Sequence, residues 1–301
     1  MLIARSSPAR ARRALPGVDS VLASLSAQTL REWVEQLARP RHYVTEPEEN
    51  ERAALWIASL LQRWDYQVEL QGRWRNVVAR PRPAPDALLL VGAHYDSVGG
   101  CPGADDNASA VAALLGCAQA CAGLSRPPPV GFVAFNREED GFQGSRDFVQ
   151  HLVADGNLRV SQAHILEMVG FASDQPATQR IPPGLPVRIP DTGNFLGLLA
   201  NRTSYPMLEQ ALTQASTYLP QLPVIALRVT LGLEKYFPVL LRSDHAPFWA
   251  EGIPAMMWTD TSEFRNPFYH QPGDQPQTLN YEFLLAVTRL LTACVLTGES
   301  A

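Results

Sequence analysis

Apolar and polar positions follow two rhythms along this chain. From Ser26 to Trp64, apolar residues recur every three or four positions: Leu30, Trp33 and Leu37, then Ala54, Trp56, Ile57, Leu60 and Leu61. That period predicts helix, and Pro40 and Pro47 divide the stretch in two. Short strands are predicted at 66–70 and 76–79. Beyond them, compact apolar runs alternate with longer helical ones. The strands are expected at 88–93, 130–136, 165–169, 224–229 and 255–258, and the helices at 108–122, 145–153, 207–215, 246–251 and 281–296. Continuous apolar runs read as strands buried on both faces. Strand–helix alternation of this kind predicts an α/β fold, three layers (α/β/α) around a mostly parallel mixed central sheet. Residues 1–25 read as a disordered leader and 26–301 as a single domain, because no repeat or linker interrupts them. The Pro-rich stretch 175–190 reads as a surface loop.

Composition removes several function classes. The net charge is −5, and the only basic block is at the extreme N-terminus, so nucleic-acid binding has no electrostatic support. No apolar run reaches the length of a membrane span. The Arg-rich start lacks the apolar middle of a secretory signal, which favours the cytoplasm. No inserted segment suggests dimerisation, so a monomer is expected. Cys117 and Cys121 share a helix face, but neither they nor Cys101 and Cys294 form a Cys-x-x-Cys pair; all four read as buried thiols. A serine hydrolase is not supported, since no Gly-x-Ser-x-Gly occurs.

The polar residues that interrupt the apolar runs carry the chemistry. In open parallel sheets, sites form at the carboxyl ends of strands. His94 and Asp96 follow one such strand, then Asp105 and Asp106; Glu138 and Glu139 follow another. Glu167 lies in "ILEMVG", Asp244 and His245 precede a short helix, and His270 lies in a late loop. Each has an ordinary alternative: a satisfied core histidine, a helix cap, a solvated turn. Their joint placement on one edge argues against those readings. Carboxylates crowded in one cleft repel one another, and a divalent cation removes that penalty. Histidines mixed with carboxylates suit zinc, and the number of candidates fits a pair of metals sharing a bridging carboxylate.

The segments "GAHYDS", "PGADDNAS", "FNREEDGFQGS", "ILEMVGF", "RSDHAPFW" and "NPFYHQPGD" together resemble the motifs of the zinc-dependent aminopeptidase family that includes bacterial leucyl aminopeptidases, aminopeptidase Y and glutamate carboxypeptidase. The resemblance runs from about Arg52 to Leu296 with the motif order kept. It implies the zinc-exopeptidase fold, two zinc ions, a peptide substrate and aminopeptidase activity. It implies His94 and Glu167 as ligands of the first metal, Asp105 as the bridge, and Glu139 and His270 as ligands of the second. Glu138 is then the general base, and Asp96 the carboxylate that holds His94. A cis peptide between Asp105 and Asp106 also follows. Glu167 departs from the Asp that many members carry, Ala110 from a Gly, and Arg137 from a small residue. His245 matches no ligand position. Side-chain preference is sought around Tyr205–Tyr236. Two other readings remain at this point: a mononuclear, glutaminyl cyclase-like enzyme, and a binding module that has lost activity.

Overall fold

A mixed sheet divides the molecule into two unequal helical layers. The computed structural model describes residues 2–5, 10–83, 85–155 and 159–298. In chain order its strands are β1 (Leu2–Arg5), β2 (Gln67–Gln71), β3 (Asn76–Arg80), β4 (Ala87–His94), β5 (Val130–Phe135), β6 (Arg159–Glu167), β7 (Leu196–Ala200), β8 (Val224–Val229) and β9 (Ala255–Thr259). They form a nine-stranded sheet in the order β1-β8-β7-β9-β6-β4-β5-β3-β2. β5, β4, β6 and β9 run parallel; β7 runs against β9 and alongside β8. The carboxyl ends of the four central strands therefore open on one edge. These strands have almost no exposed positions, as buried parallel strands require.

The helices are α1 (Val18–Ser24), α2 (Ala27–Leu37), α3 (Pro47–Arg63), α4 (Ala110–Ala122), α5 (Gln143–Asp155), α6 (Tyr205–Tyr218), α7 (His245–Ala250) and α8 (Tyr281–Thr297). One face of the sheet carries α2, α3, α4, α6 and α8, with Leu30, Ile57, Leu114, Leu208 and Leu291 packed on Val91, Phe132 and Trp258. α4 is apolar around most of its circumference and buried there, with Gln119 the one exposed position. The other face carries α5 and α7, where Phe148 and Phe248 meet Phe135. Over β7 and β8 this second layer is built differently. Two short 3₁₀ turns, Leu233–Tyr236 and Pro238–Leu241, and the Pro-rich segment stand there instead of an α-helix. The three-layer expectation holds, with that one opening.

Three local expectations change. The leader is partly structured: residues 18–24 form α1, with Val18 and Leu22 packed near Ala293 of α8, and residues 2–5 pair with β8. Residues 1 and 6–9 of that leader lie outside the described residues. β7 comes from "LGLLA", a run too short to stand out before it is paired on both sides. The Pro-rich stretch also turns inward, burying Gln179 and Leu185.

Candidate metal centre

The opening loop after β4 is fixed before it delivers its acids. Gly103 has φ +58°, and a Cβ there would sit 2.2 Å from the Asp106 carbonyl oxygen, so only glycine fits the approach. The guanidinium of Arg41 is buried beneath this loop. It donates from Nε to Tyr95 O (2.6 Å), from Nη1 to Pro102 O (2.5 Å), and from Nη2 to Gly103 O (2.9 Å). Asp274 accepts from the backbone N–H groups of Asp105 (2.9 Å) and Asp106 (3.1 Å). Asn107 bridges to the end of β6, accepting from Met168 N and donating to Leu166 O. The strand that carries Glu167 is thereby tied to the Asp pair.

Two groups of side chains result, joined at one carboxylate. Asp106 Oδ1 lies 3.4 Å from His94 Nε2, and Glu167 Oε2 lies 3.5 Å from the same nitrogen. Asp106 Oδ2 lies 3.2 Å from His270 Nε2, which lies 3.3 Å from Glu139 Oε2. Two atoms each about 2.0–2.2 Å from one cation at a tetrahedral angle stand about 3.4 Å apart. These separations fit that arrangement, and all but the His270–Asp106 one lie beyond the usual hydrogen-bond range. The polar bookkeeping agrees: Nε2 of buried His94, the ring nitrogen that faces the cluster, has no hydrogen-bond partner, nor does Glu139 Oε1. Such orphans are rare unless something else meets them. The donor set, nitrogen and carboxylate oxygen, suits zinc.

The expectation for the Asp pair is corrected. Asp106, not Asp105, lies between the two groups, and the cis peptide is Asp106–Asn107. Both oxygens of Asp105 are already engaged: Oδ1 accepts from Gly170 N (2.9 Å) and Oδ2 from Asn266 Nδ2 (2.8 Å). Burial and neighbouring Asp260 push its carboxyl well above the usual range. Asp105 braces the loop from behind. Sequence adjacency alone gives no means of choosing between the two. His94 and Glu167 lie in one of the two groups, and Glu139 and His270 in the other. Asp96 lies 3.5 Å from His94 Nδ1 and accepts from Glu138 N (3.2 Å) and Glu139 N (3.3 Å), so one buried carboxylate orients both the histidine and the glutamate pair. Ser243 donates to Glu167 Oε2 (2.7 Å), which fixes the longer side chain at that position. His245 is turned away, its Nε2 2.9 Å from Leu240 O.

The charges are strongly displaced. Burial raises Glu138 well above its ordinary range, and burial with Asp106 nearby lifts Glu139 to about 7. Burial would also raise Asp106, but His270 and His94 beside it draw it well down. Burial opposes the charge on His270, yet Asp106 and Glu139 raise it to about 10. Without a cation, protons hold this cluster of acids together.

The cluster opens into a cleft, with Asp106, Glu138, Glu139, Glu167 and His270 at one end. Its walls are Leu185, Val187 and Ile189 from the Pro-rich stretch, Ile225 and Leu227 from β8, and Met257 from β9. This is the opening left on the face where no helix covers β7 and β8; α6 covers them on the other. Tyr269 stacks on His270, 3.7 Å between ring centres, and lines the mouth. Ile225 and Leu227 bring the Tyr205–Tyr236 region into the wall, but its two end tyrosines do not line it: Tyr205 donates to Val229 O and Tyr236 is exposed.

The model of peptidase family M28 matches residues 76–295. The chain belongs to peptidase family M28. It is 34% identical to the uncharacterized protein YfbL of Escherichia coli K12 over 226 residues, 72% of this chain and 68% of YfbL. It is 28% identical to aminopeptidase YwaD of Bacillus subtilis over 73% of this chain, and spans only 44% of that relative. The LapA aminopeptidase of Legionella pneumophila has the same fold, with a TM-score of 0.73 over 94% of this chain and 73% of LapA, at 18% identity. The matched region, residues 76–295, contains all the candidate ligands, from His94 to His270.

Proposed function

We propose that this chain is a zinc-dependent aminopeptidase that removes N-terminal residues from peptides. The observation that carries the reading is the Asp106 carboxylate, with one oxygen facing His94 and Glu167 and the other facing His270 and Glu139. His94, Asp106 and Glu167 would hold one ion, and Asp106, Glu139 and His270 the other. Two such ions, when bound, supply a water acidified toward neutrality and positive charge at the scissile carbonyl.

The chain's own residues do the rest. Glu138 is buried, its carboxylate 4.0 Å from His94 Nε2, and its backbone is pinned by Asp96. Burial raises its carboxyl, so the proton it takes from the attacking water stays on it long enough to reach the leaving amine. The apolar cleft receives the N-terminal side chain, and an apolar one is favoured. The acids at its end attract the substrate's ammonium group.

The test pairs metal analysis with hydrolysis of leucine, arginine and glutamate N-terminal amides. The expected result is about two zinc ions per chain and activity lost to chelator, regained with zinc and greatest on leucine. Glu138→Gln keeps the metal and loses about 10²–10⁴ in rate. One zinc per chain with pyroglutamate formation and no amide hydrolysis would replace this reading with a cyclase. A chain that binds no metal would be a binding module.

A further inference from the structure

On the side of the metal centre opposite the apolar cleft, arginines gather on two aromatic rings. Trp74 stands on the turn between β2 and β3, and Tyr43 on the loop between α2 and α3. The guanidinium groups of Arg73 and Arg137 lie 4.3 Å and 4.4 Å from the Trp74 ring. Arg137 is also 5.1 Å, and Arg75 5.6 Å, from the Tyr43 ring. The group is fastened to the catalytic edge of the sheet. Asn136 Nδ2 donates to Trp74 O (2.8 Å) and the Tyr95 hydroxyl donates to Arg75 O (3.1 Å). Those anchors are the neighbours of Arg137–Glu138 and of His94 in the chain.

The charges do not balance here. Asp140 accepts from Arg137 Nε (2.9 Å) and also lies 3.4 Å from His42 Nε2. Glu51, with its side chain 58% exposed, lies 3.2 Å from Arg75 Nη1. Arg73 is exposed and has no carboxylate partner among the described residues. Two guanidinium groups share one indole; Arg137 is held by Asp140, while the nearest acid behind Arg73, Asp147 against Gly72, is hydrogen-bonded to Gln71, so the exposed Arg73 fork is left to meet a carboxylate from solvent. A guanidinium stacked on a ring keeps its planar fork of donors pre-organised for a carboxylate.

We propose that this basic–aromatic platform receives the C-terminal carboxylate of a short peptide, two or three residues beyond the scissile bond. The inference rests on the aminopeptidase reading. Neighbouring strands lie about 4.8 Å apart, so β3 is about 10 Å from β4, the length of three extended residues. The apolar cleft lies towards β9, β7 and β8, and the platform towards β5, β3 and β2. A peptide with its first side chain in the cleft therefore sends its leaving end across the metal centre toward Arg73 and Arg137. The acidic centre repels a carboxylate and draws an ammonium group, so a short zwitterion is oriented by both ends.

The test compares Leu-Gly-Gly with its C-terminal amide on the zinc-loaded protein. The free carboxylate is expected to raise kcat/KM about tenfold, mainly through KM, and Arg73→Gln to bring the ratio toward one. Hydrolysis of both peptides at equal efficiency overturns the platform. A ratio unchanged by Arg73→Gln and by Arg137→Gln also overturns it. Failure to hydrolyse either peptide sinks the aminopeptidase reading instead. The platform is then judged by calorimetric binding of the same two peptides to Glu138→Gln, where equal affinities overturn it and a carboxylate preference supports it.

Discussion

Asp105 and Asp106 are adjacent, alike and both buried, yet their surroundings assign them opposite work. Each Asp106 oxygen faces a histidine nitrogen of a different group, whereas each Asp105 oxygen is already held by a neutral N–H donor. Two substitutions separate the roles. Asp106→Asn removes the carboxylate shared by the two groups, and loss of zinc at both positions is expected, with activity gone. Asp105→Asn removes a buried acid but leaves the ligand atoms in place. Because Asn266 then faces an amide that is an acceptor on one atom only, about 1–3 kcal/mol of stability is lost while zinc is retained. Zinc content by mass spectrometry and thermal unfolding of both variants decide the matter. Zinc kept by Asp106→Asn and lost by Asp105→Asn would restore the assignment that the family resemblance implied. At this scale the sequence was legible for residue type and chain order but not for side-chain direction. His94, Glu167 and His270 have no second candidate of their kind beside them, whereas Asp105–Asp106 and Glu138–Glu139 are doublets whose members only the family resemblance told apart.

The loop from Val98 to Asn107 illustrates how elements fix a site that none of them contains. Arg41 comes from the end of the α2 region, some sixty positions before the carbonyls it binds, and nothing in "ARPRH" marks it as buried. Asp274 reaches the same loop from the far side. Long-range supports of this kind have no local period, which is why pattern reading missed them. β7 was missed for a related reason, since it is a strand only because β8 and β9 flank it. The central strands, α4 and α8 were legible because their apolar runs are long enough to settle the period locally. Arg41→Met tests the clamp. It leaves the buried carbonyls of Tyr95, Pro102 and Gly103 without their charged donor, and a loss of about 3 kcal/mol or more is expected. That corresponds to a fall in Tm of roughly 6 °C or more. Zinc affinity falls with it, because the loop that aims Asp106 is released. A Tm within about 2 °C of the parent would show that the guanidinium supports nothing.

For the whole molecule, the crowded acids tie stability to pH and to metal in a definite direction. Burial, with other acids close by, raises Glu139, Asp244 and Asp274 to about 7, and burial raises Asp260 to about 6. Carboxyls raised by folding contribute stability that is full below their ordinary range, near pH 4, and is lost as pH climbs through 6 to 7. His270, raised to about 10, contributes stability that is full below about pH 6.5 and lost only as pH rises through 10. Asp106 runs the other way: drawn down by the histidines, it contributes stability that is lost only in strong acid. The metal-free protein should therefore lose stability between about pH 5 and pH 8, as four acids become ionised together. Zinc binds the deprotonated ligands and replaces the protons as the source of positive charge, so its stabilisation grows with pH over the same interval. Thermal unfolding at pH 5 and pH 8, with chelator and with zinc, reads this directly. The expected result is a zinc-induced rise in Tm several degrees larger at pH 8 than at pH 5. Equal rises at both would mean that the acids around Asp106 ionise freely without metal. The edge of the sheet would then owe its order to Arg41 and the backbone anchors alone.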